Sequence, residues 1–208
     1  MNLLLIRHGE SIANTEGRMQ GHFDSPLNDR GRAQARALAA RLTREARAVS
    51  AVYASDLCRA AETAEIVAAA LGAPLHLDTR LREFDIGVLT GVVWSEVEHL
   101  YPDLWKQLHE STEYVRLPGD EGHEAFHARL AEALSFIQDR HNPDDTVAIV
   151  SHGGSLNMLL AHLIGMDTHR PLPFRLSNAS LSIVETGGRR TRLTLLNDTC
   201  HLDGEPVD

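Results

Sequence analysis

Lysine is nearly missing from this chain: of its 20 basic residues 19 are arginine, and Lys106 stands alone. Cysteine is scarce too. Cys58 and Cys200 are the only two in 208 residues, which excludes a disulfide framework and fits a reducing compartment. Aromatic residues reach only 5%, so a core has to be assembled from Ala, Leu, Val and Ile. The N-terminal apolar run Leu3–Ile6 is too short for a signal peptide, and no stretch approaches the ~18 apolar residues of a membrane span. Neither a Walker-type loop nor a Gly-x-Gly-x-x-Gly turn is present, which leaves no nucleotide cradle. Positive charge is in deficit, with a net charge of −9 that argues against nucleic acid or a membrane surface as the main partner. A cytoplasmic enzyme or binding protein is the expectation.

What is present is an ordinary globular composition, 43% hydrophobic and 24% charged, in a length that suits one domain over 1–208. The charge is unevenly spread. Residues 1–60 hold nine Arg against six carboxylates, so the acidic excess lies entirely in the rest of the chain. Arginine's planar fork suits phosphate or carboxylate, although a compositional bias toward Arg over Lys explains the count equally well.

Hydrophobic periodicity alternates strands with helices. Residues 2–6, 48–55, 74–78 and 146–150 read as strands, and 30–47, 58–71, 122–141 and 155–164 as helices. Asn28 or Asp29 is the expected cap of the first helix, and Asp56 or Ser55 of the second. Residues 181–186 and 191–196 flank Gly187-Gly188 as a hairpin. This order predicts an α/β fold, a three-layer α/β/α sandwich with a mostly parallel sheet. Residues 88–121 interrupt the alternation with both tryptophans and seven carboxylates against Lys106 and Arg116. They read as a small cap insertion over the sheet.

Ligands of open α/β sheets bind at the carboxyl ends of the strands. Three strand ends carry unusual residues: Arg7-His8-Gly9-Glu10-Ser11, Ser55 followed by Arg59, and Ser151-His152-Gly153-Gly154. Alone, a strand-end Arg usually sits in a salt bridge and a lone His is usually satisfied or solvated. Two His and two Arg converging from three segments are what phosphoryl transfer needs: donors around the equatorial oxygens and a nucleophile in line.

The run LLLIRHGESIAN resembles the histidine phosphatase superfamily, the phosphoglycerate-mutase-like proteins. The similarity continues through GRMQGHFDSPLNDRGRAQA (17–35), YASDLCRAAETA (53–64), LREFDIG (81–87) and VSHGG (150–154), five blocks in order over nearly the whole chain. The resemblance implies that His8 is the nucleophile that becomes a phosphohistidine, that Arg7, Arg59 and His152 bind the phosphoryl oxygens, and that Glu83 is the acid protonating the leaving oxygen. It adds Asn14, with Ser11 as a helper, and Gly153 to the phosphate pocket, and it implies no cofactor and no metal. His8 then needs a fixed tautomer, and Glu83 needs burial or a neighbouring carboxylate to hold its proton. Asp85, two residues on, shares a face with Glu83 in an extended segment and is the fallback acid.

Three other motifs compete. His123-Glu124-Ala125-Phe126-His127 matches the zinc-protease pattern His-Glu-x-x-His, but no third ligand follows at a matching spacing. Next to it, LPGDEG (117–122) departs from the Gly-Gly-Glu-Ser-like turn of the relatives, which offers His123 either as a substrate contact or as an exposed residue at a helix start. Gly153-Gly154-Ser155-Leu156-Asn157 nearly forms a nucleophile elbow, with Asn157 where glycine is needed. Cys58 has Ala64, not Arg, six residues on, so a cysteine-dependent phosphatase loop is excluded.

A mutase needs a second anion site, and the cap offers only Lys106 and Arg116 among seven carboxylates. The favoured reading is a histidine acid phosphatase-type phosphomonoesterase acting on a small phosphorylated metabolite, with Trp94, Tyr101, Trp105, Tyr114 and Leu117 as an apolar lid. Phosphoglycerate mutase is the alternative. A non-catalytic phosphate-binding module is the alternative of another class, and the complete set Arg7, His8, Arg59, Glu83 and His152 argues against it. Which metabolite is bound stays open, as does a homodimer formed through the 181–196 hairpin.

Overall fold

The computed structural model describes residues 1–111, 114–168, 173–187 and 190–202. The continuous apolar runs become the strands of one six-stranded sheet: β1 (Asn2–Arg7), β2 (Ala51–Ala54), β3 (Leu75–Leu77), β4 (Thr146–Ser151), β5 (Leu181–Glu185) and β6 (Arg192–Asp198). Their order is β3-β2-β4-β1-β5-β6. The first four are mutually parallel, and β5 and β6 add antiparallel at the β1 edge. The hairpin connection includes Gly188, which lies outside the described residues.

The helices are α1 (Ile12–Thr15), α2 (Asp29–Arg44), α3 (Cys58–Leu71), α4 (Val97–Leu100), α5 (Pro102–Glu110), α6 (His123–Gln138) and α7 (Gly153–Ile164). Alternation of side chains along the central strands divides the core in two. Leu4, Ile6, Val52, Ala54, Ala148 and Val150 face Leu38 and Leu42 of α2 and Ala60, Ala64 and Val67 of α3. Leu3, Leu5, Tyr53, Val147 and Ile149 face Leu130, Leu134 and Ile137 of α6 and Leu156 and Leu159 of α7. The result is the three-layer α/β/α arrangement. Within 88–121 a third cluster forms around Leu89, Val97, Leu104 and Leu117, with Met19, Ile86 and Trp105 packed on it. Among the described residues no helix is long and apolar enough to cross a membrane.

Two element ends differ from expectation for physical reasons. Asn28 does cap α2, its side chain accepting from the Gly31 N–H. α3 starts at Cys58 as expected, but the residue before it is Leu57 and neither Ser55 nor Asp56 caps it. Ser55 and Asp56 are engaged elsewhere, on His152 and Arg82 respectively, and Asp24 from a distant loop accepts the N–H of Cys58 at 2.7 Å. α7 begins at Gly153, two residues earlier than predicted, because the Glu83 carboxylate accepts the N–H groups of Gly154 and Ser155. Those two N–H groups belong to the set that a helix leaves unpaired at its start.

Candidate active site

Sheet register puts the unusual residues at one level. Arg7 lies opposite Ser151 and Ala54 opposite Val150, so His8, Ser55 and His152 leave the same edge of neighbouring parallel strands. The chain at His8 is tied down on every side. Its N–H donates to Ser151, its carbonyl accepts from Ala179 and from the Asn178 side chain, and the Gly9 N–H donates to Thr63 Oγ1 at 3.1 Å. Gly9 itself is required: a Cβ there would lie 2.4 Å from the Gly31 carbonyl oxygen, where α2 crosses the loop.

His8 is 2% exposed, and its Nδ1 lies 2.7 Å from the Gly9 carbonyl. A carbonyl only accepts, so Nδ1 carries the hydrogen and Nε2 keeps its lone pair. Burial, then the positive charges of Arg59 and Arg7, hold its pKa well below the ordinary 6.5. A buried neutral imidazole among guanidinium groups is a nucleophile ready for an electron-poor centre.

Arg59 is 1% exposed and donates to His152 Nδ1 at 3.2 Å and to the carbonyls of Phe23 and Gly21 at 2.8 and 2.9 Å. That occupies three of its five N–H groups. Because guanidinium only donates, His152 accepts at Nδ1 and carries its hydrogen on Nε2, which lies 2.8 Å from Ser55 Oγ. Both ring nitrogens of His152 are thus held by protein groups. To donate to a phosphoryl oxygen its Nε2–H has to leave Ser55. The His152 ring meets that of His8 edge-on, with centroids 5.2 Å apart. Its pKa is also pushed well below 6.5, by burial and then by Arg59. The Arg7 guanidinium donates to the Leu176 carbonyl and packs on Gly153, where a Cβ would stand 3.6 Å from Arg7 Nε.

Glu83 reaches the same sheet edge from the segment after β3. Its Oε2 accepts from Gly154 at 2.9 Å, and its Oε1 from Phe84 at 2.9 Å and Ser155 at 3.0 Å. A Cβ at Gly154 would fall 2.6 Å from Oε1, so any larger residue there displaces the Glu83 carboxylate from this position. Glu83 is half-buried, and Asp85 turns away, accepting from Gly87 and lying 3.8 Å from His22 Nδ1.

The two remaining candidates divide. Ser11 is fully buried and caps α1 in a reciprocal box with Asn14, whose Oδ1 accepts both the N–H and the hydroxyl of Ser11. Asn14 Nδ2 meets no acceptor among the described residues, and Asn14 Oδ1 lies 3.4 Å from Asn178, which also holds the His8 carbonyl. The competing motifs resolve structurally. The His123 ring lies against Tyr114, whereas His127 Nε2 is 3.0 Å from His162 Nδ1. Burial and a hydrogen bond from the thiol to the Asp24 carboxylate push the Cys58 thiol up to about 12, so it stays protonated.

Sequence reasoning missed the groups that act on backbone. Thr63 holds Gly9, Asn178 holds His8, and His22 donates to the Glu83 carbonyl at 2.8 Å. Arg129 and Glu121 brace the segment on either side of Glu83. Only Thr63 carried a signal, standing one helical turn after Arg59 on α3.

Known proteins resemble this chain in sequence and in fold. The family description of the histidine phosphatase superfamily (branch 1) matches residues 3–199. Phosphoserine phosphatase 1 of Hydrogenobacter thermophilus is 34% identical over 97% of this chain and 94% of that protein. A probable phosphoglycerate mutase of Cronobacter sakazakii is 32% identical over 100% of this chain and 98% of its own. Among solved structures, the alpha-ribazole phosphatase of Shigella flexneri superposes with a TM-score of 0.84 at 30% identity, covering 96% of this chain and 97% of that one.

Proposed function

The chain belongs to the histidine phosphatase superfamily, branch 1, and from that premise we propose that it is a phosphomonoester hydrolase working through a phosphohistidine on His8. The observation that carries this reading is the buried His8 with its hydrogen on Nδ1 and its Nε2 lone pair beside two guanidinium groups.

In the first step His8 Nε2 attacks phosphorus and the bond from phosphorus to the ester oxygen breaks. The departing electron pair stays on that oxygen, which takes a proton from Glu83. The proton rides on Oε2, which has a single N–H donor, because Oε1 is already crowded by Phe84, Ser155 and the Ser155 hydroxyl at 3.2 Å. Arg7, Arg59 and His152 offset the charge on the phosphoryl oxygens as it passes between partners. In the second step water gives a proton to Glu83 and attacks phosphorus. The phosphorus–nitrogen bond breaks, its electron pair returns to Nε2, and inorganic phosphate leaves. Asn14 adds a donor from α1. Gly153 leaves room for Arg7.

Hydrolysis is favoured over mutase chemistry by the cap. Of its two cations, Arg116 is 2.7 Å from the buried Asp120 and so is already paired, and Lys106 is exposed on α5. Little is left to grip the second anionic group of a bisphosphate. The substrate is a small phosphorylated metabolite, and the chain is placed in the cytoplasm.

The test is a panel of phosphomonoesters assayed for released phosphate, with 3-phosphoglycerate also followed for its 2-isomer with and without 2,3-bisphosphoglycerate. Phosphate release without isomer is expected, falling at least about a thousandfold in His8→Ala. Isomer formation that depends on the bisphosphate supports the mutase. Equal rates for wild type and variant mean that the chain only binds phosphate.

A further inference from the structure

The backbone around Glu83 is anchored by groups with no part in the chemistry assigned above, and one pair of residues supplies five of its hydrogen bonds. Arg129, on α6, uses all five of its N–H groups. Two form a bidentate pair with Glu121, Nε to Oε2 at 2.7 Å and Nη2 to Oε1 at 2.6 Å. The other three go to backbone carbonyls of a single segment, those of Arg80 at 2.8 Å, Arg82 at 2.7 Å and Glu83 at 2.8 Å. Glu121 completes the brace from its other side. Its Oε1 accepts the Asp85 N–H at 2.9 Å, and its own N–H donates to the Asp85 carbonyl. The segment from Arg82 to Ile86 belongs to no helix or strand, so it has no hydrogen-bond ladder of its own. Its path past the strand ends is set from outside.

We propose that Arg129, oriented by Glu121, is a positioning residue that fixes the Glu83 carboxyl group against the ester oxygen of the substrate. The inference rests on the reading of Glu83 as the acid. Its physical basis is the shape of guanidinium, a planar fork that serves three carbonyls and one carboxylate at once. A lysine at this position keeps the charge and the Glu121 partner but has neither the fork nor enough donors to hold three carbonyls. Cap and acid are thereby coupled, since Glu121 directly follows Asp120 in the turn that closes the cap cluster at Leu117.

A positioning role for an acid has a signature that loss of stability lacks. Proton donation matters when the leaving oxygen is strongly basic, as in an alkyl phosphate, and matters little when it departs as a stable anion, as in 4-nitrophenyl phosphate. The experiment measures kcat and KM of wild type, Glu83→Gln, Arg129→Lys, Glu121→Gln and the double variant Glu83→Gln/Arg129→Lys on both esters, with thermal melts as the folding control. Arg129→Lys and Glu121→Gln are each expected to lose about 10- to 100-fold in kcat on the alkyl ester. KM should hold, the aryl ester should lose far less, and Arg129→Lys should add almost nothing in the Glu83→Gln background. Equal losses on both esters, or a full further loss in the double variant, overturn the proposal and leave the hydrolase reading intact. If Glu83→Gln itself spares the alkyl ester, the reading of Glu83 as the acid falls, and the positioning role with it. Glu121→Gln keeps the proposal testable should Arg129→Lys fail to fold.

Discussion

At the scale of residues the site keeps two imidazoles dry between cations. His8 and His152 are 2% and 1% exposed, and for both the main cause of the lowered pKa is burial, followed by Arg59. In the unfolded chain each takes up a proton near the ordinary 6.5, while the folded chain resists it. The unfolded state therefore binds more protons in the window below 6.5, and stability falls as pH falls through it. Each histidine changes the folding equilibrium by roughly tenfold per pH unit there. Urea midpoints measured from pH 7.5 down to pH 5 are expected to drop steeply, with a shallower drop in His8→Asn. A flat wild-type profile contradicts the buried neutral pair.

The same residues show what a sequence can carry. Arg7, His8, Arg59, Glu83 and His152 were legible because side-chain chemistry at strand ends repeats in recognisable blocks. Arg129, Glu121, His22 and Asn178 were not, because their partners are backbone carbonyls and N–H groups of distant segments. Those partners are identical at every residue and leave no spacing to read. Asp85 misled for the related reason that an irregular segment does not keep the two-residue alternation of a strand.

At the scale of elements the joint that matters is between the loop after β1 and the start of α2. Asn28 caps α2 and also donates to Glu10 Oε1 at 2.6 Å, while Arg30 pairs with the buried Glu10 at 2.8 Å. Gly31 lets the two backbones touch, since a Cβ there would stand 2.0 Å from the Glu10 carbonyl oxygen. That oxygen is backbone and cannot step aside. Gly31→Ala is expected to cost about 2–3 kcal/mol, an overpacking penalty, and to lower the melting temperature by roughly 5–10 °C. An unchanged melt contradicts so tight an approach. The strands and long helices were legible because continuous apolar runs and 3.6-residue periodicity are strong signals. The cap of α3 and the start of α7 were not, since each is fixed by a carboxylate from a distant segment, Asp24 in one case and Glu83 in the other.

At the scale of the whole molecule the charge has a division of labour. A chain of net −9 sets Arg7 and Arg59 at the sheet edge and places many of its other arginines in ion pairs, such as Arg41 with Asp198, Arg82 with Asp56 and Arg129 with Glu121. On the proposed reading an anionic ester is held by a few buried donors rather than by the general field of the surface, which suits one phosphoryl group better than two. The central step of the proposed reaction is the covalent bond from phosphorus to His8. Mixing the enzyme with excess phosphomonoester, quenching in alkali within milliseconds and mapping the peptides by mass spectrometry reads that bond directly. One phosphoryl group on the peptide containing His8, absent from His8→Ala, is the predicted result. Phosphate release with no trapped phosphoenzyme, or a phosphoryl group on Ser151 or Ser155, would contradict it.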